Sequence, residues 1–475
     1  MSIDDDHFRD ECGVFAVHAP DRDVARLTFF ALHALQHRGQ ESAGMAVADA
    51  DRVIVQRDMG LVGDVFDETA LRSLEGTAAI GHVRYSTTGA NRWENSQPVV
   101  RGRGSGIVAL GHNGNLTNAD ELRVQLLDAG IEVQASSDSE LVAALLAAEP
   151  GNLLDAACRT MPKLRGAFSI VVLTQNEVVA FRDPWGVRPL ALGRFPGGGW
   201  CAASETCALD QVGAVLDREV RPGEAVRIGV TGTESRQAVP PQGPKLCVFE
   251  NIYFARPDSL LNGQTVWESR HDMGRELARE AAVSADLVVG LPDSGTPAAI
   301  GYARESGVPY AEAVVRNRYV GRSFIQPDQE LRSQGVRLKF NPLPSVISGK
   351  RLVVVDDSIV RGTTTRKTVA MLREAGAAEV HIRISSPPIL WPCYYGIDMA
   401  ERDELIAANH TPEEIAAHTG ADSLAYLSLA GLQRAIGRPA DGFCRACFTG
   451  DYPIGVPDSA VKLRFEDATP DPAPV

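Results

Sequence analysis

The stretch from 351 to 369 reads "RLVVVDDSIVRGTTTRKTV". Its apolar, β-branched run shows no alternation, so it predicts a strand buried on both faces, as in a parallel sheet covered by helices. The run ends at Asp356 and Asp357, and a turn of small hydroxyl residues with one glycine then leads into a helix. Ligands in open α/β sheets sit beyond the carboxyl ends of the strands. Hydroxyls and backbone N–H groups at a helix start form a phosphate cradle, which the helix dipole strengthens. Adjacent carboxylates can accept hydrogen bonds from a ribose diol or hold a hard cation such as Mg2+. In a generic strand-turn-helix, Asp357 and Thr363 would merely cap the helix. That reading leaves the second aspartate and three consecutive threonines unexplained, and neither "GxxxxGK[ST]" nor "GxGxxG" occurs in this loop.

Around this stretch the strand-loop-helix pattern repeats. "ADLVVGLPDSGTPAAIGYARESG" (285–307) precedes it and "EVHIRISSPP" (379–388) follows. Between the first two lies "VVRNRYVGRSFIQPDQELRSQGVRLKFNPL" (314–343), whose arginines 316, 318, 322, 332 and 337 and Lys339 make a basic loop in an otherwise acidic chain. Scattered charge is usually a solvated surface, but beside a polyphosphate site it suits a lid that orders over substrate.

The 475 residues carry a formal charge of −14, which argues against a general nucleic-acid or membrane-surface binder. The first eleven residues, "MSIDDDHFRDE", lack a basic n-region and an apolar h-region, and no stretch has the roughly 18 apolar residues of a membrane span. The expectation is a cytoplasmic protein with reduced thiols, whose eight cysteines serve cores, catalysis or metal.

The chain ahead of 240 has a different texture. Short strand-like runs such as "GIVALGHNGNL" (106–116) and "SIVVLTQNEVVAFRD" (169–183) are interrupted by helical periodicity in "DVARLTFFALHALQHRG" (23–39) and "SDSELVAALLAAEP" (137–150). "QAVPPQGPK" (237–245) concentrates Pro and Gly and is the linker candidate. The expected organisation is a leader over 1–11, a first domain over 12–240, a second over 246–450, and an acidic, Pro-rich tail over 451–475.

In "DECGVF" (10–15), Cys12 could be core filling, because free cysteine behaves as a small hydrophobe. It is followed in order by "LQHRGQESAG" (35–44), "GHVRYSTTG" (81–89), "GHNGNLTN" (111–118) and "SSDSE" (136–140). Singly these are ambiguous, since "NG" marks a hairpin and "SDSE" a helix cap. Near the end of the second half, "FCRAC" supplies Cys444 and Cys447, with Cys247 and Cys393 far off in sequence. Such a CxxC suits zinc, a redox pair or an iron-sulfur site.

"VVVDDSIVRGTTT" resembles the signature of type I phosphoribosyltransferases, which bind 5-phosphoribosyl 1-pyrophosphate (PRPP). The resemblance implies that Asp356 and Asp357 face the ribose hydroxyls, and that Arg361, Gly362, Thr363, Thr364 and Thr365 hold the 5′-phosphate. Asp293, Ser294 and Gly295 would contact pyrophosphate, with Ser294, Asp356 and Asp357 at a Mg2+ site. The four motifs behind Cys12 resemble the glutaminase domain of N-terminal-nucleophile (Ntn) amidotransferases. That likeness implies an αββα sandwich in which Cys12 is the nucleophile, with Asn113 and Gly114 forming the oxyanion hole. Arg84 would take the glutamine α-carboxylate and Asp138 the α-ammonium, with Arg38 and Gly39 closing the pocket. Cleavage between Glu11 and Cys12 would free an α-amine of pKa about 7.7–8.0, well matched to draw the proton from a thiol of pKa about 8.5.

Together the halves resemble the glutamine PRPP amidotransferases, pentosyltransferases that pass glutamine-derived ammonia to PRPP in the first step of de novo purine synthesis. Within that family the chain is similar to the class with a propeptide and a 4Fe-4S cluster, here on Cys247, Cys393, Cys444 and Cys447, with zinc the runner-up. The resemblance further implies a homotetramer and feedback by purine nucleotides. A glutaminase joined to another acceptor domain is disfavoured by the diacid signature, and a PRPP-sensing regulator without turnover by the Cys12 motifs. No cysteine of the metal set is expected beside the substrate loops.

Overall fold

The computed structural model describes residues 11–49, 52–85, 92–102, 106–133, 137–317, 340–397, 401–437 and 439–456. Most of the expected basic lid, the leader before Glu11 and the tail beyond 456 lie outside the described residues.

Two antiparallel sheets build the first half. The seven-stranded sheet runs Val215–Glu219, Ala191–Arg194, Trp200–Ala203, Gly13–His18, Ala78–Arg84, Ser42–Ala48, Val53–Met59, and the six-stranded one runs Thr233–Gln237, Glu224–Ile228, Val178–Arg182, Gly166–Leu173, Val108–Leu116, Val99–Arg101. Side chains of a strand alternate between its two faces. Val14 and Ala16 therefore join Ala109, Val171 and Leu173 in the core between the sheets. Phe15 and Val17 point the other way and pack with Ala31, Leu32 and Leu35 around the helix Val24–Ala34. On the second sheet Leu110, Ile170 and Val172 face the helices Ala119–Asp128, Asp138–Ala148 and Leu153–Thr160. The result is the αββα layering of Ntn hydrolases. Strands apolar on both faces explain why the sequence shows so little clean alternation here.

The second half holds a four-stranded parallel sheet in the order Leu287–Gly290, Arg351–Asp356, Glu379–Ile384, Ser423–Tyr426. Val353 and Val355 face the layer containing the helices Val266–Glu280 and Thr296–Ser306, while Leu352 and Val354 face the helices Thr363–Glu374 and Pro412–Thr419. Helices on both faces are what the unalternated "LVVV" run requires. A further two-stranded parallel ladder joins Leu246–Cys247 to Phe443–Cys444 and sets Cys247 opposite Cys444. Among the described residues no helix is long and apolar enough to cross a membrane.

Candidate active sites

Five separate segments of the first half converge on one cavity, lined by Cys12, Arg84, Tyr85, Gln97, His112, Gly114, Ser137, Asp138 and Ser139. Sheet pairing explains the first part: the register Gly13↔Val83 puts Cys12 beside the end of the Arg84 strand, and its thiol donates to the Tyr85 carbonyl at 3.3 Å. Asp138 opens its helix, and its Oδ2 accepts from the Leu116 N–H at 2.9 Å. Gly114 has φ +144°, and a Cβ there would lie 2.0 Å from the Ala167 carbonyl oxygen, so only glycine fits. Asn113 is 1% exposed, and its Nδ2 has no partner among the described residues.

The electrostatics of this cavity suit a thiol that waits for a base. Burial pushes the Cys12 thiol up to about 11 while Glu11 is still attached, against the pull of Arg84. At pH 7 that leaves on the order of one thiolate in 10^4. Burial opposes ionisation of Asp138 too, but His112 and the N–H groups of Leu116 and Ser139 hold its carboxyl below the usual range.

Arg38, Gly39 and Asn113 are not among the residues lining the cavity itself. The Arg38 guanidinium is fully buried: Nε donates to Glu205 at 2.5 Å, Nη2 donates to Glu250, and Nη1 reaches the Cys12 carbonyl at 3.5 Å. It is already engaged by carboxylates, so its link to the pocket is through the Cys12 backbone. Gly39 lies against the backbone of Val83 and Arg84, where a Cβ would come within 2.6 Å.

Glu205 is the centre of this network. It also accepts from His37 at 2.7 Å, from the Ser259 hydroxyl at 2.6 Å and from the Arg256 N–H at 2.9 Å, tying the first half to the second. These bonds hold its carboxyl well below the ordinary value despite complete burial. Glu11, 1% exposed, is paired with Arg188, whose Nη2 also donates to the Tyr395 carbonyl at 2.6 Å. The only sequence signal for these residues was charge within apolar runs, as at Glu205 in "AASETCAL".

In the second half Asp356 and Asp357 are 4% and 1% exposed at the end of their strand. Ser294 donates to Asp357 Oδ2 at 2.5 Å, so the companion loop reaches the diacid. Gly295 permits that approach, since a Cβ there would lie 2.6 Å from the Val355 carbonyl oxygen. Asp293, 64% exposed, pairs with Arg316 at the near end of the basic loop. The helix cap is Gly362, at φ +78°, with no side-chain cap bond. Asp357 therefore does not cap the helix, and the Thr363 hydroxyl has no partner among the described residues. Those open donors, with Thr364 and Thr365 in the same first turn, make an anion cradle. Arg361 is turned toward Glu404, with Nη2 at 2.5 Å and Nε at 3.2 Å. The serine hydroxyl and adjacent carboxylates are hard oxygen donors that fit Mg2+.

Cys247, Cys444 and Cys447 are buried together, with Cys393 packed against them. Their thiols feel one another electrostatically, and burial raises all four, Cys444 to about 12. Among the described residues no group of three or more His, Cys, Asp or Glu is placed to hold a metal ion. Four thiolates would suit either zinc or an iron-sulfur cluster. The segment that follows Cys393 runs beside the proposed oxyanion residues. The Tyr394 carbonyl accepts from Asn115 Nδ2 at 2.9 Å, and a Cβ on Gly396 would lie 3.2 Å from the Gly114 backbone.

Comparison with known proteins agrees with both halves. Residues 82–211 match the family model described as glutamine amidotransferase domain, and 262–385 that described as phosphoribosyl transferase domain. An amidophosphoribosyltransferase of Mycobacterium tuberculosis is 54% identical over 462 residues, covering 94% of this chain and 87% of that protein. One from Synechococcus elongatus is 50% identical, covering 98% and 96%. The solved structure of the B. subtilis glutamine PRPP amidotransferase, complexed with ADP and GMP, superposes with a TM-score of 0.89 at 46% identity, covering 95% of this chain and 99% of that one. The chain thus belongs to the amidophosphoribosyltransferase family, whose members hydrolyse glutamine and transfer its ammonia to PRPP, releasing pyrophosphate and forming 5-phosphoribosylamine.

Proposed function

We propose that Cys12, once freed from the leader, is the N-terminal nucleophile that drives this reaction. Its new α-amine takes the thiol proton, and the thiolate attacks the side-chain amide carbon of glutamine. The oxyanion is received by the Asn113 Nδ2 and the Gly114 N–H. Ammonia departs with the returned proton, and water then cleaves the γ-glutamyl thioester to glutamate. Arg84 pairs with the substrate α-carboxylate and Asp138 with its α-ammonium. Support for the roles comes above all from the orphaned, buried Nδ2 of Asn113, next in chain to Gly114 on the cavity wall. A thiol held near 11 with Glu11 attached supports a precursor that stays silent until it is cut.

At the second site, Asp356 and Asp357 would orient the ribose hydroxyls, the 362–365 turn the 5′-phosphate, and Asp293, Ser294 and Gly295 the pyrophosphate. Mg2+ held by Ser294, Asp356 and Asp357 would neutralise the departing pyrophosphate. Ammonia attacks C1 as the C1–O bond to pyrophosphate breaks, and a closed apolar passage between the sites keeps it from protonating. Cys247, Cys393, Cys444 and Cys447 would hold a structural 4Fe-4S cluster. The same reading makes the protein a cytoplasmic homotetramer inhibited by purine nucleotides.

Intact mass with iron and sulfide analysis on anaerobically purified, active protein tests this assignment. A chain beginning at Cys12 with about four iron and four sulfide is expected. Full activity with residues 1–11 retained would overturn the nucleophile, and zinc without sulfide would overturn the cluster.

A further inference from the structure

Behind the glutamine cavity lies a polar relay that none of the assigned roles uses. His112 is 2% exposed and lines the cavity beside Asp138. Its Nδ1 is 3.6 Å from Asp138 Oδ1 and 3.3 Å from the Ser139 hydroxyl, which lies 3.4 Å from the same carboxylate oxygen. Gln97 clamps the arrangement from another segment: its Oε1 accepts from the His112 backbone N–H at 2.7 Å, and its Nε2 donates to Ser139 Oγ at 3.1 Å. His82, fully buried beneath, reaches the His112 carbonyl at 3.0 Å through Nε2. The other carboxylate oxygen, Oδ2, is held by the Leu116 N–H.

We propose that His112 is a positioning residue whose Nδ1–H, steadied by Gln97 and Ser139, aims the Asp138 carboxylate at the α-ammonium of glutamine. The tautomer follows from the neighbours: a carboxylate can only accept, so the ring nitrogen facing it carries the proton. A carboxylate fixed from both oxygens loses little freedom when an ammonium arrives, so the relay favours an amino acid over an amide lacking the amino group. The inference rests on the assignment of Asp138 to the α-ammonium.

The test compares glutamine with glutaramate, the same amide without the α-amino group, in wild-type enzyme and in the His112→Ala, His112→Asn, Ser139→Ala and Asp138→Asn variants. Ammonia-dependent pyrophosphate release serves as the check on folding. For H112A the loss of kcat/KM should be about tenfold larger with glutamine than with glutaramate, mostly in KM, as expected for losing one polar contact to a charged group, here Nδ1 at 3.6 Å from Asp138 Oδ1. H112N, which keeps a donor near Nδ1, should restore much of that preference, and S139A should show a smaller loss in the same direction. Equal losses on both substrates would instead place His112 with the neighbouring oxyanion residue Asn113 and overturn the proposal, as would an unaltered preference in H112A. If D138N also lost equally on both substrates, the assignment of Asp138 itself would fail, which separates the two ideas.

Discussion

Replacing Gly39 by alanine tests whether the cavity depends on a backbone contact made outside it. A Cβ at this position would lie 2.6 Å from the Val83 carbonyl carbon and 2.7 Å from both the N and C atoms of Arg84. Carbon contacts become comfortable only at about 3.5 Å, so the two backbones must part by about 0.9 Å. All three atoms are main chain, and no side chain can swing aside. Overpacking of this kind costs about 1–3 kcal/mol. The strain falls on Arg84, which lines the cavity beside Cys12. A displacement approaching 1 Å at a positioning group can lower kcat/KM by as much as about 100-fold. Glutamine-dependent glutamate release should fall to that extent, while ammonia-dependent pyrophosphate release, which bypasses the first site, should persist in protein whose melting temperature has dropped by several degrees. The reasoning is refuted if kcat/KM for glutamine stays within about twofold of wild type, or if both activities fall together.

Other perturbations separate the two sites and their joint. Cys12→Ala should abolish glutamine-dependent activity and leave ammonia-dependent pyrophosphate release, read by coupled phosphate detection. Asp357→Asn should lower PRPP-dependent pyrophosphate release by about 100-fold, by weakening charge stabilisation around the reacting sugar, with basal glutaminase retained in the absence of PRPP. Glu205→Gln removes the charge at the centre of the buried joint and should cost about 3–5 kcal/mol in denaturant unfolding, because Arg38 stays buried without its full complement of partners. The folded-state pKa of Glu205 is depressed. Its contribution is therefore present above the unfolded value of about 4.3 and is lost as pH falls below it, so E205Q should flatten the acid limb of the stability profile.

The parallel sheet was legible because its signal is local: "LVVV" ending in two aspartates is a buried strand with a site at its tip. Cys12, Arg84, Gly114 and Asp138 could be placed together only through the order of their motifs, since periodicity carries no information about which distant strands pair. Arg38 shows the limit of that method. Its motif is present, yet its guanidinium faces Glu205 and Glu250, and Glu250 belongs to the far side of the linker. His112 stood inside a quoted motif, but a lone histidine among apolar residues gives no hint of its partner. Gln97 had no sequence pattern at all and Glu205 only a charge within an apolar run, because a buried polar network is defined by long-range contacts. Capping by Asp357 was a sound local alternative, and only the backbone at Gly362 disposed of it.

The central claim is that a processed Cys12 supplies the ammonia consumed at the diacid site. Active enzyme should be treated with an electrophilic glutamine analogue until glutamine-dependent turnover stops, and then measured by intact and peptide mass. The account predicts one adduct per chain, on a Cys12 that is the first residue, with ammonia-dependent pyrophosphate release surviving. An adduct on another residue, or inactivation of a chain that still carries residues 1–11, would contradict it.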